Sequence, residues 1–170
     1  MRQNLVESAL EWVGTYGVAP SITSAISEFD AAMLVGMSAD EYSLFVQGRI
    51  AVARGVDFAF GGIGYQVKAN RPSGKPGSFV TLVAKAHPNT KTGSFEWDRL
   101  IWLLYNERYE IQEAWLWDRE AYAMAIYPLA RVSPVHVRGG LNIQASVQAR
   151  SDPGRKEANP RRIRAQQAAA

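Results

Sequence analysis

Residues 100–105 read LIWLLY, six apolar residues without a break, between Asp98-Arg99 and Asn106-Glu107. Side chains alternate across a strand, so a strand with no polar residue on either side is buried from both faces. A chain built around such a strand has to supply a covering layer for each face of its sheet. The 170 residues suffice for one core, and their 47% hydrophobic content supplies the layers.

The helical periods lie mostly upstream. Leu5, Ala9, Trp12 and Val13 mark a first helix over 2–16, and Gly14 and Gly17 end it. Pro20-Ser21 opens a second, with Ile22, Ile26, Phe29, Met33 and Met37 as its apolar stripe. Glu28 lies off that stripe, beside Ala25 and Ala32, whose small side chains leave a carboxylate unobstructed. SADEYSLFVQGRIAVARG, 38–55, suits a helix with a Ser38–Glu41 capping box or, from Ser43, a strand. Two β-prone runs, Val56–Phe60 and Tyr65–Ala69, flank GGIG and predict a hairpin. SFVTLVAKA, 78–86, alternates as a strand does, and 109–117 predicts another. Asp118 is placed to cap a short helix through Ile126, and LNIQASVQ, 141–148, predicts a last edge strand. The fold class expected is α/β, one mixed sheet flanked by helices.

Charge divides the chain. From Arg150 onward the balance is +4 and large apolar residues all but vanish, so 150–170 reads as a disordered basic tail on a domain spanning 1–149. The body is near neutral at −1, yet Phe58–Phe95 has no Asp or Glu and carries Lys68, Arg71, Lys75, Lys85 and Lys91. Such a stretch suits a polyanion, nucleic acid first. Cysteine is absent, which excludes disulfides and thiolate metal sites; His87 and His136 stand too far apart for a histidine zinc site. No apolar run reaches the roughly 20 residues that span a bilayer, and a soluble cytoplasmic protein is the expectation.

Asp57, Gln66 and Lys68 put polar groups onto the hairpin. Gln66 and Lys68 are two apart and share a face. A two-residue turn at Gly61-Gly62 pairs position 57 with 66, and a four-residue loop pairs it with 68. Either gathers all three on one face, about 5 Å between paired Cβ atoms, whereas a three-residue loop breaks the cluster. A hard cation takes oxygen ligands, so Asp57 offers a carboxylate and Gln66 an amide carbonyl. Lys68 is then placed to orient or deprotonate a water and to offset charge on a phosphate.

Asp57, eight residues, then Gln66-Val67-Lys68 resembles the PD-(D/E)xK motif of restriction-endonuclease-like nucleases, with Gln in place of the second acid. The helix ISEFDAAMLVGM is similar to the first family helix, whose Glu corresponds to Glu28, and the resemblance covers roughly residues 20–125. It implies a restriction-endonuclease-like mixed sheet and Mg²⁺-dependent endonucleolytic hydrolysis of DNA, with Mn²⁺ as a substitute metal. It further implies metal ligation by Asp57, Gln66, Glu28 and the Val67 carbonyl, with Lys68 beside the attacking water. Asn70, Arg71, Ser73 and Lys75 follow the strand and are the implied contacts to nucleic acid. Cutting both strands implies a homodimer. Gln66 removes one negative charge, and position 56 is Val where the motif has Pro. Those departures leave an inactive nucleic-acid-binding domain and an interaction domain of the same fold as alternatives.

Elsewhere Trp97, Trp102, Trp115 and Trp117 read as core rather than as base-stacking platforms. Glu110 and Glu113 fall on opposite faces of a regular strand. Asp98-Arg99 reads as a surface pair, and His87 as exposed.

Overall fold

The computed structural model describes residues 22–48, 55–72, 80–106 and 108–144, with Ser8, Glu11, Trp12 and Thr15 ahead of them. The expected first helix falls mostly outside the described residues, and the basic tail entirely so. The described elements run α1 (Ile22–Leu34), α2 (Ala39–Gln47), β1 (Phe58–Phe60), β2 (Ile63–Asn70), β3 (Arg99–Tyr105), β4 (Ile111–Asp118), α3 (Arg119–Ala125), α4 (Pro134–Val137) and β5 (Leu141–Asn142). The five strands form one mixed sheet in the order β1-β2-β3-β4-β5. Only β2 and β3 are parallel. The α/β class expected from the order of elements is present.

LIWLLY is the strand that organises it. Ile101, Leu103 and Tyr105 join Tyr65 and Val67 in a core covered by α1 and α2. Leu100, Trp102 and Leu104 turn the other way, into a core with Val83, Ala86, Trp97, Trp117 and Tyr122. Trp97, Trp102 and Trp117 are buried, as a core assignment requires.

Several expectations are corrected. Of the expected stripe, Ile26, Phe29 and Met33 on α1 pack against the core and Met37 just beyond it is buried, while Ile22 at its head is 46% exposed; α1 also buries Ala25, Ser27, Ala31 and Ala32. Small residues let helix and sheet approach closely, and the larger Phe29 packs edge-on against Tyr42 at the flank. Over the described residues 38–48 the capping box decides: Ser38 and Glu41 satisfy each other's ends, and α2 forms; 49–54 lie outside the described residues. SFVTLVAKA forms no strand among its described residues; its one ladder contact is an isolated bridge from Val83 to Val132. β2, the strand it follows, already pairs with β1 and β3 on both sides. This segment crosses the second face instead, held by side chains. Lys85 donates to the carbonyls of Tyr127 and Leu129 at 3.0 and 2.7 Å. The Tyr122 hydroxyl accepts from Ala86 N–H at 2.8 Å and donates to the Ala86 carbonyl at 2.9 Å. Burial is the main reason its ionisation is pushed up to about 12. Tyr122→Phe strands both Ala86 groups in a buried site, an expected loss of about 1–3 kcal/mol readable by urea denaturation.

Within the described part of the expected last strand, β5 covers Leu141–Asn142; Ala145 and Val147 lie outside the described residues. Asp98 and Arg99 do not pair with each other but with Arg119 (3.5 Å) and Asp118 (3.3 Å). Asp118 occupies the cap position of α3 without a side-chain capping bond.

Candidate active site at the hairpin

Gly61 and Gly62 have φ of 59° and 79°, the positive values that a tight two-residue hairpin turn demands. Phe58 accordingly pairs with Tyr65 and Phe60 with Ile63, the register that sets Asp57 against Gln66. Asp57 N–H donates to the Tyr65 carbonyl at 2.7 Å, just ahead of β1. Tyr65 and Val67 face α1 and α2, so Gln66, Lys68 and Asn70 project from the opposite side of β2.

The carboxylate of Asp57 turns toward this strand. Its Oδ2 accepts from Val67 N–H at 2.6 Å and from the Gln66 side-chain amide. The same amide nitrogen lies 3.4 Å from the Val67 carbonyl oxygen. The ladder therefore finishes in a polar knot: the carboxylate takes a backbone donor lying beyond the end of β1, and Gln66 bridges two oxygens. A partly positive amide N–H group between two oxygens stands where a cation could stand. Turning the amide over would present its carbonyl there, giving three oxygen donors of the kind a hard cation takes. The donor set fits Mg²⁺ in type. Among the described residues no three of His, Cys, Asp and Glu gather into a metal-holding group.

Lys68 is half-buried and lies beside Trp102 in the parallel register. Glu28 is half-buried on α1, between Ala25 and Ala32, in the helix that covers the opposite face of the sheet. The pairing that joins Asp57 to Gln66 does not by itself bring Glu28 to them. Asn70 is engaged inward, its Oδ1 accepting from Trp102 Nε1–H at 3.1 Å. Arg71 lies with its guanidinium carbon 4.6 Å from the Tyr109 ring centroid. Ser73 and Lys75 lie outside the described residues.

One acidic group escaped the sequence reading. Asp30, two residues past Glu28, accepts from the Tyr105 hydroxyl at 2.7 Å, and burial pushes its carboxyl above the usual range. The only hint was an acid beside an apolar stripe. Glu113 takes a two-pronged bond from Arg138 at 2.6 and 2.8 Å, which holds its carboxyl below the usual range. Glu110 instead bonds Asn106 at 2.5 Å, so the two glutamates form no pair.

No protein-family model matches the chain, and no curated protein matches it in sequence.

Proposed function

We propose that this chain is a Mg²⁺-dependent endonuclease that hydrolyses DNA phosphodiester bonds, a restriction-endonuclease-like domain acting as a homodimer. The observation that carries the reading is the knot of Asp57, Gln66 and Val67 at the end of the hairpin ladder, with Lys68 two residues along the same strand. Asp57, Gln66 and the Val67 carbonyl would hold the ion. When bound, Mg²⁺ supplies Lewis acidity at the phosphate and offsets its charge. Lys68 donates to or takes a proton from the attacking water and stabilises charge growing on the phosphoryl oxygens. Asp57, fixed by Val67 N–H, keeps the ligand geometry rigid through the reaction. Arg71 and the basic run from Lys68 to Lys91 draw and seat the DNA backbone.

A second reading, a DNA-binding domain without hydrolysis, is favoured by one detail: the Gln66 amide donates to Asp57 and so satisfies it without any ion. Plasmid nicking separates the two. Supercoiled DNA is expected to be nicked and linearised with Mg²⁺ or Mn²⁺ and left intact with EDTA. Restoring an acid at that position, Gln66→Glu, sets two carboxylates together and should make the melting temperature rise more steeply with added Mg²⁺ than in wild type. Intact plasmid in both metals, with DNA still bound, selects the binding-only reading.

A further inference from the structure

Two segments without an acidic residue meet on the second face of the sheet. One is the crossing segment, 80–95, and the other is the stretch from α3 to β5, 121–144. They join where Val83 N–H donates to the Val132 carbonyl at 3.0 Å. Between them lies a groove of about 180 Å³, with Leu82, Val83 and Val132 as its apolar lining and Lys85, His87 and Arg131 as its basic one. Its charge is not neutralised from within. Lys85 is half-buried; its ammonium donates to the Tyr127 and Leu129 carbonyls and lies 5.3 Å from the centroid of the Tyr127 ring. Those partners are uncharged, so they satisfy two of its donors and leave its unit charge in place. Arg131 and His87 are exposed, and the His87 ring stands edge-on to Tyr127 at 6.2 Å. None of the three basic residues is in an ion pair among the described residues. A cation drawn out of water without an anion beside it is unfavourable, and a ligand that brings the anion relieves it.

We infer that the groove between 82–87 and 130–132 is a phosphate-binding site that takes one backbone phosphate of the bound DNA. The inference rests on the nuclease or DNA-binding reading above and deepens it with an anchor away from the hairpin. Size points to a polymer. Sites that enclose a small molecule have about 300–1,000 Å³, so this groove admits one group of a ligand whose remainder lies outside. Arg131 supplies the forked donors that match phosphate oxygens, and the His87 ring adds an N–H. Lys85 is a fixed charge beside them, because the two carbonyls that take its donors also hold it still. The same bonds, with the Val83–Val132 bridge, tie both walls together before DNA arrives, which leaves little to order on binding. The layer that carries the groove covers the face of the sheet from which Lys68 projects beside Trp102. A duplex seated there is held on the side where Lys68 stands.

The test is binding of a fluorescein-labelled DNA duplex in EDTA over a salt series, with each variant first matched to wild type in melting temperature. Arg131→Ala is expected to bind several-fold more weakly, with a log–log salt slope smaller by about 1, as one lost phosphate contact requires. Arg131→Lys keeps the charge and loses the fork, so its slope should return to the wild-type value while its affinity stays below it. His87→Ala should also weaken binding, and by less when Arg131 is already alanine, because both meet the same phosphate. Fully additive losses would overturn that shared contact. Wild-type affinity and slope in Arg131→Ala, beside a wild type that binds the duplex, overturn the groove and leave the functional reading standing. Absence of salt-dependent DNA binding in the wild type overturns both, as does Arg131-dependent binding of a labelled poly-glutamate peptide by a protein that ignores the duplex.

Discussion

Lys68→Ala is expected to lower the rate of Mg²⁺-dependent plasmid cleavage by about 10²–10⁴-fold, the usual contribution of a positioned proton-transfer group. The fold should be undisturbed. Lys68 is half-buried on β2, its backbone bonds belong to the β2–β3 ladder, and alanine keeps both. Lys68→Arg separates the two duties proposed for the ammonium. Arginine keeps the charge that steadies the phosphate but cannot give up a proton near neutral pH. Recovery of most activity in that variant assigns Lys68 to electrostatic stabilisation, and failure to recover assigns it to proton transfer. Cleavage by Lys68→Ala at the wild-type rate would remove Lys68 from the chemistry altogether and point to a contaminating nuclease.

What sequence could say about this chain follows from how local each signal is. That a hairpin forms was legible from GGIG; the length of its turn was not, and the positive φ of Gly61 and Gly62 fixes it at two residues. The central strand was legible because an apolar run of that length has to be covered twice. The second covering layer was not. The alternation in SFVTLVAKA promises a strand, yet among its described residues only Val83 makes a bridge, to Val132. What holds that segment is distant: Ala86 by Tyr122, Lys85 by the carbonyls of Tyr127 and Leu129. The stripe on α1 was legible from Ile26 to Met37 and failed only at Ile22, where close packing chooses alanines such as Ala31 instead. At the candidate site the sequence left Asp57 facing Gln66 or Lys68, and the register of the hairpin selects Gln66. That Val67 N–H would also bond the carboxylate depended on where β1 begins, which no spacing reveals.

Trp102→Ala should be the most destabilising single change near the site, by about 3–5 kcal/mol, the range for deleting a buried aromatic. Trp102 is fully buried at the middle of β3, opposite Trp115 across the β3–β4 pair and next to Lys68 in the β2–β3 pair. Its ring centroid lies 6.4 Å from that of Tyr122, which itself clamps the crossing segment through Ala86. Removing the indole opens a void shared by sheet, crossover and α3, three parts that cannot all close in on it. With native stabilities of about 5–15 kcal/mol, such a loss leaves little margin at 37 °C. Trp102→Phe isolates the polar part of the effect. It keeps most of the volume but removes the donor to Asn70 Oδ1, a net contribution of about 1 kcal/mol. Urea midpoints of the two variants against wild type check both figures. If Trp102→Phe binds DNA normally while Trp102→Ala, measured below its own melting temperature, binds weakly, the indole supports the neighbouring strand by packing. If the phenylalanine variant also binds weakly, the hydrogen bond that holds Asn70 is what keeps the end of β2 in register with its ligand.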